Sequence, residues 1–449
     1  MARIVSGLVT AVAAVVAGGL FTACATVAQP GAQPGTPEDP VAPVPVEAAQ
    51  PDTAPAGPPL FRDETPGALQ RAIAALGGSG TLHLAPGRYI LQPSSYTDPS
   101  CGNCEDASES VPATLGMRIT GRDVHIRGVH RDSVAIETRA GYGLLFEDCA
   151  NCTLSGMTIT GGIRDDDGRA TSAGIVARRT SLTIEDCRIS DNVGDSATVA
   201  RTVVGIAGIA GREGSNVTVR NCAITRNSWD GIALYRGARA HIHDNVVDGV
   251  DKASGAVMTG GRGVGIGLTW DARAVVERNL VTRYWKGIGA FVEADADIRD
   301  NIVEDILTWG ITLWGPSGAT PSARIEGNVV YRTGACGVSV DRPAGGPPAG
   351  TLRDNVVVRS GQAERYDSGE PYCWQRPIAR HQVPESFVEG LNLLYDNRQP
   401  AEAGSAPPPL PELLHDRFVE RARPLTVRLP GYPALREALL FREMPELGR

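Results

Sequence analysis

The sequence predicts an all-β fold, a solenoid of stacked rungs that makes a parallel β-helix. Three observations predict it. First, a short motif recurs, in which an apolar residue, a polar one and a turn residue are often followed by Asn. Copies are Leu182-Thr-Ile-Glu-Asp-Cys187, Val217-Thr-Val-Arg-Asn-Cys222, Ala240-His-Ile-His-Asp-Asn245 and Ala296-Asp-Ile-Arg-Asp-Asn301. Counted from Val129 and Met157 to Asn355, successive copies stand 28, 30, 35, 23, 34, 22, 27 and 27 residues apart. Second, Gly followed by an aliphatic residue falls once in each interval, as at Gly174-Ile175, Gly205-Ile206, Gly231-Ile232, Gly265-Ile266 and Gly287-Ile288. Each interval therefore holds at least two short strands bounded by Gly, Asn and Asp turns. Propeller blades need about 40 residues and ankyrin-type repeats need helices, so neither fits.

The third observation is the content of the columns that such a stack creates. Three places before each Asn or Cys stand Ile126, Leu154, Ile184, Val219, Ile242, Val276, Ile298, Ile325 and Leu352, apolar throughout as an inward ladder must be. One place on, facing outward by strand alternation, stand Arg127, Ser155, Glu185, Arg220, His243, Glu277, Arg299, Glu326 and Arg353. Rungs lie about 4.8 Å apart, so stacked like charges would repel. From Glu185 onward no two acids are adjacent in this column. The Asn column is expected to run as a hydrogen-bonded amide ladder inside the turn.

The elements follow in chain order. Residues 1–23 read as an export signal, with Arg3 as the positive region and Val5 to Phe21 as an apolar stretch too short to span a membrane stably. Phe21-Thr22-Ala23-Cys24 resembles the bacterial lipobox, with Phe21 where Leu is usual. That resemblance implies acylation of Cys24; ordinary signal cleavage is the alternative. Residues 24–60, rich in Pro and Ala, read as a disordered tether. The chain is thus expected to be exported and held at a bacterial membrane, on the periplasmic face or cell surface, through that anchor alone. A solenoid needs capped ends. Thr65 as N-cap, Pro66 at the first helical position and Ala68, Leu69, Ala72, Ile73 and Leu76 on one face predict a capping helix that ends at Gly77-Gly78. A first strand is expected over Thr81–Tyr89, and the rungs fill 61–398. Residues 399–449 read as a Pro-rich segment and an irregular tail, with a short helix over Tyr432 to Met444.

The opening helix, Gly77-Gly78 and Pro86-Gly87-Arg88-Tyr89, followed by Asn-centred rungs, resembles the parallel β-helix proteins of the pectin lyase-like superfamily across roughly 61–360. The resemblance implies a right-handed, single-stranded coil. It also implies one of several activities, because the superfamily includes polysaccharide lyases, hydrolases and epimerases as well as exported proteins that only bind. Fold alone does not choose among them.

Beyond Cys24 eight cysteines remain. Cys101/Cys104 and Cys149/Cys152 form two CxxC pairs, read as disulfides or free thiols rather than as a four-thiolate zinc site, since their 44-residue separation exceeds zinc-ribbon spacing. Cys187 and Cys222 occupy the Asn column in successive rungs, close enough for a disulfide and equally readable as two buried thiols.

The net charge of −8, from 43 basic and 51 acidic residues, argues against a nucleic-acid partner. Long intervals gain their extra residues at one turn, in loops near 163–172, 193–203 and 250–263, which should protrude beside a cleft. Trp229-Asp230-Gly231 sits on the cleft floor, with Trp285-Lys286-Gly287 and Trp309-Gly310 at the same turn further along. The outward column reads Arg178, Ile209, Tyr235, Thr269, Phe291, Trp314 and Asp341. Trp229, Tyr235, Trp285, Phe291, Trp309 and Trp314, with Arg236 and Arg262, are the expected contacts for an extended polysaccharide, because sugar C–H faces stack on rings. Covered packing of these rings is the alternative. Lyase or epimerase action on a uronate needs a cation to neutralise the carboxylate and a base for the adjacent proton. Lys286 or Arg262 fits the first role, Lys252 or Tyr235 the second, with Asp230 as a further catalytic candidate. A hydrolase needs two flanking carboxylates, and Asp230 has no evident partner. The rival is a non-catalytic module that binds glycan or protein. Asp165-Asp166-Asp167-Gly168-Arg169 resembles part of a calcium loop without its later ligands, so the sequence names no cofactor.

Overall fold

The computed structural model describes residues 58–249, 263–315, 318–342, 349–364, 375–381 and 386–398. Cys24, Lys252, Arg262, Cys373 and the expected tail helix lie outside the described residues.

Each full rung contributes three strands, one more than the minimum the sequence requires. They build three long sheets, here A, B and C, of 12, 11 and 11 strands, in which chain order repeats A, B, C. Among the described residues every pairing is parallel except one antiparallel hairpin, Ser94–Asp98 with Val111–Arg122, at the first edge of sheet C. The architecture is a right-handed parallel β-helix. The inward column pairs as the sequence requires, from Ile126 opposite Leu154 to Ile325 opposite Leu352, and every member is fully buried. The outward column is in the same register. Its opposite charges meet across rungs, with Arg220 on Glu185, Arg299 2.8 Å from Glu277 and Arg353 2.8 Å from Glu326.

The turn from sheet A to sheet B explains the recurring motif. The residue before each ladder position has positive φ at Asp186, Asn221, Asp244, Asp300, Gly327 and Asp354. Asp, Asn and Gly tolerate that left-handed conformation at least cost. Only Arg278 departs from this chemistry within the run. The next residue then turns its amide inward. Asn245, Asn279, Asn301, Asn328, Asn355 and Asn392 form a continuous buried chain in which each Nδ2 donates to the next Oδ1 at 2.9–3.0 Å. Each also donates to a backbone carbonyl of the preceding rung, as Asn245 does to Val219 and Asn301 to Val276.

Cys187 and Cys222 hold the first two places of this ladder as thiols rather than a disulfide. Their Sγ atoms donate to the carbonyls of Leu154 and Ile184, the contacts that Asn makes in later rungs. In a parallel, in-register stack the Cβ atoms keep roughly the rung spacing of about 4.8 Å, longer than the Cβ–Cβ distance near 3.8 Å that a disulfide prefers. The two CxxC pairs do close, as Cys101–Cys104 and Cys149–Cys152.

Helix α1 (Ala68–Ala75) buries Ala68, Leu69 and Ile73 at the N-terminal end of the coil. Its N-cap is Gly67, at φ 79, rather than Thr65. Thr65 instead accepts the Ala68 N–H through its carbonyl, so Pro66-Gly67 make a turn before the helix starts. The expected strand over Thr81–Tyr89 is two strands, Gly80–Leu84 in sheet A and Gly87–Ile90 in sheet B, because the chain turns the corner between sheets at Ala85-Pro86.

The long turns 161–172 and 191–206 join sheet B to sheet C, as expected, and the second contains helix α2 (Ser196–Thr202). The third long interval also separates a sheet B strand from a sheet C strand, its residues 250–262 lying outside the described residues. That insertion displaces one expected register. Ile175 pairs with Ile209, so the repeating unit of that rung is Gly208-Ile209 and not Gly205-Ile206. Ile209 consequently points into the core, and Arg212 takes its place in the outward column opposite Arg178.

Candidate functional site

The outer face of sheet C divides into an early half covered by the hairpin segment and a later half that its own aromatic side chains occupy. Over the early rungs lies the segment that joins the two strands of the hairpin, closed by Cys101–Cys104. Cys101, Val111, Tyr142, Leu145, Val176 and Ala210 form a second apolar cluster beneath it. Inside this cover is a charge network. Asp98 accepts from Arg178 at 2.9 Å, from Arg212 at 2.7 Å and from the Tyr142 hydroxyl at 2.7 Å, and Asp98 and Arg212 are wholly buried. Arg212 also donates to the Ser100 carbonyl. The same segment reaches Trp270, whose Nε1 donates to Asn103, while the Arg236 guanidinium lies 5.0 Å over the Trp270 ring. Arg236 is thus engaged at the turn that leads to sheet A. Tyr235, expected as an exposed ring, is 8% exposed.

The later rungs hold the other expected residues together. In the column at the start of the sheet C strands, Asp230 is one rung from Val264, Val264 pairs with Lys286, and Lys286 pairs with Trp309. One strand length on, Phe291 pairs with Trp314 and Trp314 with Asp341. Between these columns stand the small residues Gly267, Gly289 and Thr312, in register and all buried, with the Phe291 ring lying over Gly289.

Lys286 is the centre of the arrangement. Its Nζ lies 4.4 Å from the centroid of Trp285, 4.7 Å from Trp309 and 5.3 Å from Phe291. Each ring face attracts a cation, most strongly where water is thinned out. Three rings expected to stack on sugar thus surround an ammonium of the protein itself. Trp309 is 9% exposed and packs against Ala335, Cys336 and Ala379, which corrects its reading as an open platform. Trp229, Trp285, Phe291 and Trp314 remain half-buried. Trp314 is oriented by its Nε1, which donates to Asp341 at 3.1 Å.

Asp230 faces this cage from two rungs away and is 7% exposed. Gly263, at φ 64, lets the Val264 N–H donate to Asp230 Oδ1 at 2.6 Å; a Cβ on Gly263 would fall 2.1 Å from that oxygen. Burial raises the Asp230 carboxyl to about 7, against the opposing pull of the Val264 N–H, Lys286 and the Tyr235 hydroxyl. Burial lowers the Lys286 ammonium to about 8, and Asp230 pulls it back up. Carboxyl and amine are thereby both poised near neutral pH, as proton-transfer groups must be. Tyr235 moves the other way. Burial, reinforced by Asp230, holds its phenol well above the ordinary value, so it is a neutral donor and not a base.

The acidic run of the first loop is structural. Asp165 is buried and accepts from the Thr114 N–H, the Thr114 hydroxyl and Ser172, and Asp167 pairs with Arg169 at 2.6 Å. Among the described residues no group of three or more His, Cys, Asp or Glu is arranged to hold a metal ion. Sequence reasoning placed Asp230 and Lys286 in register but missed the ring cage. It also missed Asp98, which meets a partner 114 residues away in the chain.

With this geometry the class is plain: the chain is a right-handed parallel β-helix protein. Residues 116–264 match the family model described as the right handed beta helix region. No curated protein sequence matches the chain. Three solved structures of similar architecture are the Dettilon tailspike protein, an alginate lyase from Paenibacillus sp. str. FPU-7 and a mannuronan C-5 epimerase A-module from Azotobacter vinelandii. The first is 14% identical with TM-score 0.49, over 74% of this chain and 59% of the tailspike. The lyase is 15% identical with TM-score 0.39, over 72% of this chain and 95% of its own. The epimerase module is 13% identical with TM-score 0.36, over 76% of this chain and 93% of its own.

Proposed function

We propose that the later rungs of sheet C bind an extended polysaccharide bearing uronate carboxylates, and that Asp230 and Lys286 move a proton on it in a lyase or epimerase reaction. The observation that carries this reading is the Lys286 ammonium, held in a cage of Trp285, Trp309 and Phe291 two rungs from a carboxyl raised to about 7. A cation fixed in that way is suited to neutralise a sugar carboxylate and so acidify the adjacent C–H. Asp230 takes the proton as base and, in an elimination, passes it to the glycosidic oxygen that departs as the ring double bond forms; in an epimerisation water returns a proton from the opposite face. Tyr235, kept neutral, donates to Asp230 and orients it. The half-buried rings of Trp229 and Trp314 supply stacking for flanking sugars.

The test is incubation with acidic and neutral glycans while unsaturated uronate absorbance and the epimer ratio are followed. Product from a uronate polymer, lost in Lys286→Gln and Asp230→Asn, supports the reading. Binding without product on every glycan overturns the reaction and leaves a binding module.

We further infer export and lipid anchoring at Cys24, from the apolar stretch before Phe21-Thr22-Ala23-Cys24 and the Pro-rich tether after it. Mass spectrometry of the mature N-terminus is the check, and an unmodified Thr26 start rules it out.

A further inference from the structure

We propose that the outer face of sheet A carries a second, separate groove for a linear anionic glycan, held by Arg239 and Arg273. On most of this face cations are answered by acids one rung away, as Arg299 is by Glu277 and Arg353 by Glu326. Arg239 departs from that pattern, its in-register neighbours being Asn216 and Arg273, and Arg273, although opposite Asp295, forms no ion pair with it. Arg239 and Arg273 pair in register one rung apart, both exposed, so two cationic side chains rise from backbone about 4.8 Å apart. Like charges directly opposite on a sheet are destabilising. Among the described residues neither guanidinium reaches a carboxylate. Asp295, next in the column after Arg273, accepts the Ser322 hydroxyl instead.

The two arginines form one wall of a groove of about 500 Å³, with His241, Asp297 and Arg324 on the other. The groove runs along the coil axis across the rungs of Arg239, Arg273, Asp295 and Ser322. His241 is engaged by Glu277 at 3.1 Å and Arg324 by Glu326 at 2.8 Å, which leaves Arg239 and Arg273, among the described residues, as the unpaired cations of this stretch. An anion seated between them relieves their repulsion and takes a fork of donors from each. Carboxylate and sulfate share this chemistry. Asp295 and Asp297 further along the groove accept hydrogen bonds from sugar hydroxyls, whereas a charged bilayer or a phosphate backbone would meet them as like charges. A polymer that alternates acid groups with hydroxyls therefore fits the groove best.

The groove lies on a different sheet from Lys286, so it stands or falls apart from the sheet C reading. The experiment titrates the full chain carrying Lys286→Gln, with and without Arg239→Ser and Arg273→Ser, at low and high ionic strength. The probes are oligogalacturonate for carboxylate, a heparin oligosaccharide for sulfate, a cello-oligosaccharide as neutral control and phosphatidylglycerol vesicles. Circular dichroism verifies that the variants fold; both side chains are exposed, so they should. Salt-sensitive binding of one acidic oligosaccharide that survives Lys286→Gln and weakens about tenfold or more in the arginine double variant supports the groove. Binding unchanged by the arginine substitutions, equal binding of the neutral sugar, or preference for the vesicles overturns it.

Discussion

At the scale of single residues, the site depends on two groups that burial drives toward each other's range. The Asp230 carboxyl sits at about 7 and the Lys286 ammonium at about 8, so both are in the charge state required for base and cation only between those values. A bell-shaped kcat/KM profile with limbs near 7 and 8 is expected on a uronate substrate. Asp230→Asn and Lys286→Gln should each reduce turnover by about 10²-fold or more, with folding retained. Stability carries the same signature. The folded state keeps the Asp230 proton up to about pH 7, whereas an unfolded chain releases it near 3.8. The folded state thus binds more protons across that window, and stability falls as pH rises through it. Urea titrations at pH 4 to 8 should show this slope flattened in Asp230→Asn.

At the scale of elements, the Asn ladder is the fastener of the coil. Asn301 makes hydrogen bonds to Val276, Arg299, Asn279 and Asn328, all within the core of a turn. Asn301→Ala leaves buried donors and acceptors unmatched in both neighbouring rungs, and a loss of about 2–4 kcal/mol is expected from denaturant unfolding. Cys222→Asn should do the opposite. The Cys222 backbone N–H already donates to Asn245 Oδ1, so an amide there would extend the ladder by one rung and raise the melting temperature. A lower melting temperature for that variant would show that the thiol is preferred for its size. Burial pushes the Cys222 thiol well above its ordinary value, so alkylation of the folded protein should be slow at that site.

At the scale of the whole molecule, the hairpin and its disulfide-closed segment join parts of the chain that the repeat does not. Asp98 binds Arg178 and Arg212 across 80 and 114 residues of sequence. Asp98→Ala leaves two guanidinium groups buried without their shared carboxylate. A loss of about 3–5 kcal/mol is expected, larger than for any surface pair on sheet A. Because a solenoid unfolds rung by rung, this loss should fall on the N-terminal rungs first and be visible as local hydrogen exchange there.

The sequence by itself determined the coil, its inward ladder, its outward charge alternation and the place of its long turns. Those features repeat in register, so each rung states them again and the period makes them legible. It also placed Asp230 two rungs from Lys286, because the Trp-x-Gly turn marks the column. Only the tertiary structure decided which rings are half-buried and which are covered, that Trp285, Trp309 and Phe291 close on an amine, and that α2 shifts Gly205-Ile206 out of register. Each of these depends on a contact made once, by an insertion or by side chains meeting across rungs. A contact made once leaves no period in the chain.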